Sequence, residues 1–144
     1  MGLIRDLLAQ DHRRLERLLA RADDDRRAYE RFRAGLVHHI GMEEKIPLPA
    51  ARHVNGGEPI AEAERLRIDH GRLASLLVRI PSARQLDEIR AILAPHDRLE
   101  DGPDGVYEHC EQMIGAEDVG HVLHALRDLP VIRLGPPALQ RRHG

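Results

Sequence analysis

Tryptophan is absent from this 144-residue chain, and phenylalanine and tyrosine together make up only 2% of it. A core with so few rings must be built from Leu, Ile, Val and Ala, which suits packed helices better than a β-sandwich. There is one cysteine, Cys110, so no intramolecular disulfide can form. No apolar run is long enough to span a bilayer. Near the start, Arg5 and Asp6 interrupt the chain before the apolar stretch of a signal peptide could develop. Position 6 also lacks the Ser or Thr of a myristoylation signal. The expected compartment is therefore the reducing cytoplasm. Charge of neither sign dominates: the net charge is -2, with acidic and basic residues interspersed. Without a basic stripe or an acidic block, neither nucleic acid nor a membrane is expected as a partner, and the oligomeric state is left open.

What the chain does have is 10 histidines. Histidine is the commonest metal ligand, so their placement matters. The length suits one domain with a real core, expected over residues 1–130 with a C-terminal tail over 131–144. Apolar residues spaced by three and four predict helices at about 3–22 (Ile4, Leu8, Leu15, Leu19), 25–46 (Phe32, Leu36, Ile46), 59–80 (Ala63, Leu66, Leu73, Leu77) and 82–100 (Leu86, Ile89, Leu93). Pro47 and Pro49 are expected to close the second helix, with a loop over 52–59. Ser82 and Gln85 have capping-box spacing. Pro95 should kink the fourth helix or mark a join. Gly102, Pro103 and Gly105 make a strong break, followed by helical pieces at 106–114 and 118–129.

Six polar residues fall where an apolar residue would have continued these stripes. They are His12, His39 with Glu43, His70, and His96 with Glu100. Residues four apart share a helix face, so each His-x-x-x-Glu pair points one way. Six such side chains facing one another would be costly if unpaired, and a shared metal ion removes that cost. The two halves of the chain match: each supplies a lone His on its first helix and a His-x-x-x-Glu on its second. There is no Glu-x-x-His of the ferritin type, and no HExxH or CxxC zinc motif.

His12, His39 through Glu43 and Glu44, Asp69-His70, and His96 through Glu100 and Asp101 resemble the hemerythrin-like HHE cation-binding domain over about residues 3 to 115. Pro47-Leu48-Pro49 after Glu44 is similar to that family's continuation. The resemblance implies an all-α, up-down-up-down four-helix bundle with a short extra C-terminal helix. It also implies two iron ions with an oxo or hydroxo bridge, with manganese or zinc as other metals these ligands suit. His12 and His39 would bind one ion, His70 and His96 the other, and Glu43 and Glu100 would bridge them. Oxygen-carrying hemerythrins have a second histidine one turn after the third-helix ligand, where this chain has Ala74. Each metal would then have about five ligands in a site favouring six. That open position directs the expectation toward reaction with O2, NO or peroxide, with an oxygen or iron sensor, or an iron-handling protein without turnover, as the alternative.

The family's apolar continuation after the last glutamate is replaced here by the break. Asp101 and Asp104 are therefore candidates to bridge in place of Glu100 or to surround the centre, and Tyr107 to hydrogen-bond or ligate a metal. His38, a quarter turn from His39, is read as a surface or interface residue. His121 and His124 are read as a solvated face. His53, His109 and His143 are read as loop, surface and tail, and Cys110 as a packed or exposed small residue.

Overall fold

The structure, a computed structural model, describes residues 2–131 and 134. The expected tail at 131–144 therefore lies almost wholly outside the described residues. The described residues contain seven α-helices and no strand: α1 (Leu3–Arg21), α2 (Arg26–Lys45), α3 (Pro47–Val54), α4 (Ala63–Leu77), α5 (Ala83–Asp101), α6 (Val106–Ile114) and α7 (Ala116–Asp128). No helix among them is long and apolar enough to cross a membrane.

Local chemistry sets the helix ends. The Asp25 carboxylate accepts from the Arg27 and Ala28 N–H groups, capping α2. Ser82 Oγ accepts from the Gln85 N–H at the start of α5. The reciprocal half of that box is not made. The Gln85 amide instead donates to the Tyr29 hydroxyl and the Leu76 carbonyl, both in the interior. The start of α1 has no side-chain cap of its own. Glu111 of α6 supplies one from far along the chain, accepting from the Ile4 N–H at 2.7 Å and the Arg5 N–H at 3.1 Å.

Three boundaries differ from the sequence-based expectation. Pro47 and Pro49 follow the end of α2, but Pro47 also opens α3, so part of the expected loop is helical. Proline in a first turn gives up an N–H that has no intrahelical acceptor anyway. The third long helix starts at Ala63 rather than Pro59 and ends at Leu77 rather than Ile80. Pro95 lies inside α5, which runs unbroken to Asp101.

The long helices α1, α2, α4 and α5 pack in sequence around a common interior: α1 on α2, α2 on α4, α4 on α5 and α5 back on α1. Helices α3, α6 and α7 close one end. Two apolar clusters fill the interior. One contains Ile4, Leu8, Met42 and Leu66 with Ile60, Val106 and Leu126. The other contains Leu15, Leu19, Leu36, Leu73 and Leu93 with Phe32 and Ile89. On every long helix the boundary between the clusters falls at a histidine. A buried polar layer therefore crosses the bundle between two apolar cores.

Candidate metal centre

That layer brings together all six residues expected from the spacing. His12, His39, Glu43 and Glu100 form one group of buried donor atoms that lie within 4.8 Å of one another, and Glu43, His70, His96 and Glu100 form a second. The two groups share both glutamates. The break after α5 leaves Glu100 in place: it is still helical, and it is fully buried (0% exposed). His12 Nε2 lies 3.0 Å from its Oε1, and His96 Nε2 lies 3.1 Å from its Oε2. Glu43 is used in the same way, with His39 Nε2 3.2 Å from Oε2 and His70 Nε2 2.9 Å from Oε1.

Each imidazole turns its Nε2 inward because its Nδ1 is held outside. His12 Nδ1–H donates to Asp101 Oδ2 at 2.9 Å. His39 Nδ1–H donates to Asp11 Oδ2 at 2.7 Å. His70 Nδ1–H donates to Glu44 Oε2 at 2.7 Å, and His96 Nδ1–H to Asp69 Oδ2 at 3.0 Å. A carboxylate behind the ring fixes the tautomer and makes the inward nitrogen a better ligand. The pattern also alternates: Asp11 and Asp69 hold the His-x-x-x-Glu ring of their own half, whereas Glu44 and Asp101 hold the lone histidine of the other half.

Tyr107, at the start of α6, reaches into the first group. Its hydroxyl donates to Glu43 Oε2. The same oxygen lies 3.0 Å from Glu100 Oε1, 2.9 Å from His12 Nε2 and 3.1 Å from His39 Nε2. The second group has no such occupant. There Glu43 Oε1, His70 Nε2 and Glu100 Oε2 are buried without a hydrogen-bond partner among the described residues. Buried polar atoms are rarely left so, and these three converge on one another without the geometry to bond. A cation between them satisfies all three, so the residues fit a metal.

The electrostatics agree. Burial works against charge on His96, but the close, charged Glu100 carboxylate, with help from Asp69, overcomes it and pushes the ring up to about 9. His39 is raised well above its usual value in the same way, by Glu43 and Asp11 against burial. His12 and His70 are also raised. Burial would raise the Glu43 carboxyl, but His39 beside it holds it well below the usual range. Tyr107 is raised well above its usual value by burial and by the charges of Glu100 and Glu43. Asp97, 3.6 Å from His12 Nε2, is pushed up to about 6, chiefly by burial. A cage that attracts protons this strongly attracts a metal cation by the same field.

The remaining candidates fall outside. Asp104 is exposed, with its N–H donating to Glu108 Oε1, and does not approach the cluster. Ala74 is exposed. His38 Nε2 pairs with the Leu129 carbonyl at 2.9 Å, a contact between α2 and the segment after α7. His53 and His121 are exposed, His109 faces Glu62 and His124 faces Asp128. Cys110 is buried and free. His143 lies outside the described residues. The roles of Asp11, Glu44 and Asp69 were not legible singly. The one signal was the repetition of Asp-His and of Glu followed by an acid in both halves.

A family model for the hemerythrin HHE cation binding domain matches residues 3–118. Neither the curated proteins nor the solved structures gave a match to the chain.

Proposed function

Because the chain belongs to the hemerythrin HHE cation-binding domain family, we propose that it is a non-haem di-iron protein whose centre binds or reacts with a small ligand: O2, NO or peroxide. His12 and His39 hold one ion and His70 and His96 the other, with Glu43 and Glu100 shared between them. The observation that carries this reading is the pair of donor groups overlapping in both glutamates. Two bound irons supply redox capacity and positions for an incoming ligand. Asp11, Glu44, Asp69 and Asp101 hold the Nδ1–H of each imidazole and so turn its Nε2 inward, toward the metals. Tyr107 supplies a further oxygen beside His12, His39, Glu43 and Glu100, and we assign it as a ligand or proton donor on that side. Apolar clusters pack on either side of the centre.

In the same reading, α1, α2, α4 and α5 form an up-down-up-down bundle over residues 1–130, with α6 and α7 after it, residues 131–144 are a tail, and the protein works in the cytoplasm. The cyclic order of helix packing supports the bundle.

Metal analysis after iron-replete expression tests the centre. We expect two irons per chain. Glu43→Gln, which keeps the shape and removes the charge, should lose metal from both positions; undiminished metal content in that variant would refute the shared-glutamate assignment. Turnover of NO or peroxide by the loaded chain then separates a reactive centre from a sensor.

A further inference from the structure

A diatomic ligand needs little room, yet a cavity of about 430 Å3 leads away from the cluster. Its inner end is formed by His12, His39, Glu43, His96 and Glu100. Two metal ions and one bridging atom, each no larger than a water at roughly 30 Å3, would fill only about a fifth of it. What remains lies within the range of pockets that hold organic molecules, roughly 300–1,000 Å3. The walls away from the cluster are apolar: Leu15, Leu19, Leu36, Ile40, Leu73 and Leu93. The cavity opens between α1 and α5, where its lining residues Glu16, Ala20, Ala94 and Arg98 are exposed. The small side chains of Ala20 and Ala94 leave that groove unfilled. From His12 to Leu19 along α1 the helix rises by roughly 10 Å at about 1.5 Å per residue. The space is therefore elongated, with polar donors at one end and aliphatic walls along its length.

We propose that this cavity is a binding site for a linear aliphatic molecule with a terminal oxygen head group. The head lies at the metal centre and the chain lies along the leucine walls toward the gap at Ala20 and Ala94. The inference rests on the di-metal reading and extends its ligand class from O2, NO and peroxide to amphiphiles such as carboxylates, alcohols and organic hydroperoxides. Of the charged lining residues, Glu16 and Arg98 are exposed at the mouth and Asp97 and Asp101 lie beside the cluster, so the buried wall that the chain would follow is aliphatic. Arg90, also in the lining, does not supply a free counter-charge, because its guanidinium is taken up by Asp23, Asp87 and the Leu19 carbonyl.

The probe pairs are octanoate with acetate and octanol with ethanol, titrated calorimetrically into the full chain loaded with zinc, which is redox-inert. Each pair shares a head, so the difference reads the apolar wall alone. At least one eight-carbon probe should bind about tenfold or more tighter than its two-carbon counterpart. Ala20→Phe narrows an exposed position of the mouth without touching the core. It should lower the affinity for that probe at least about tenfold and leave metal content unchanged, while Ala20→Ser should bind as the parent does. Equal binding of long and short probes, no binding of either, or an unaltered affinity in Ala20→Phe would each overturn the proposal. Metal content is measured first. A chain that takes up no metal refutes the di-metal reading and this inference with it, whereas two metals without chain-length preference refute only the inference.

Discussion

His39 shows how much of the centre depends on residues outside the ligand set. Its ring lies between Asp11 on one nitrogen and Glu43 and Tyr107 on the other. Asp11 also pairs with Arg14 at 2.9 Å, so the carboxylate is itself anchored. Asp11→Asn keeps the size and removes the charge behind the ring. Metal affinity should fall about 10–100-fold with the fold intact, as measured by chelator competition. A second prediction concerns protons. In the metal-free chain the site histidines have raised values, so the stability they contribute is complete below the unfolded value of 6.5 and is lost as pH rises through the folded value, about 9 for His96. The melting temperature of the metal-free protein should therefore fall across that window. Metal binding displaces the same protons and strengthens as pH rises, so the gap between loaded and metal-free melts should widen over the same range. A gap that stays constant with pH would count against these histidines as ligands. Cys110, by contrast, is pushed up to about 12 by burial and by nearby Glu62, which accords with a packed residue.

At the scale of elements, the turn between α5 and α6 decides the site. Glu100 is the last residue but one of α5, and Tyr107 is the second residue of α6, yet both must reach the same point. The connection achieves this by folding tightly on itself. A Cβ on Gly105 would lie 2.7 Å from the Glu100 carbonyl oxygen and 2.8 Å from those of Leu99 and Gly102. These are backbone atoms that cannot swing aside. Asp104 takes up the positive φ of 57° that the reversal requires, a conformation aspartate tolerates better than most residues. Gly105→Ala should cost about 1–3 kcal/mol, as overpacking does, and should displace Tyr107 from the donor atoms. Thermal melts and the near-ultraviolet tyrosine signal check the two effects. The Glu111 cap on α1 acts at the same scale, tying α6 to the helix that carries His12.

Across the whole molecule, the polar layer between two apolar cores makes metal binding a matter of stability as well as chemistry. Without a cation, Glu43, His70 and Glu100 present buried atoms with no bonding partner among the described residues, and each such atom costs stability. Removing the metal with a chelator should lower the melting temperature, and restoring it should raise stability by about 2.7 kcal/mol when free metal is about 100 times Kd. Calorimetric melts with and without chelator measure this. Identical melts would mean that the layer is stable without a metal.

Periodicity alone determined the all-α class and the positions of the four long helices, because a helix that buries one face must repeat its apolar residues every three or four positions. It also picked out the six polar residues that meet in the buried layer, since a polar side chain that interrupts such a stripe has to enter the core. Tertiary structure alone decided the pairing behind the rings. Neighbouring residues on a helix point about 100° apart, so Asp11 cannot serve His12, nor Glu44 serve Glu43; each reaches a ring on another helix, and only the packing of α1, α2, α4 and α5 says which. The same holds for the α5–α6 turn, where the sequence marks a break but the crowding around Gly105 places Tyr107. It holds too for the cavity, which exists because Ala20 and Ala94, unremarkable on their own helices, come to line one opening between them.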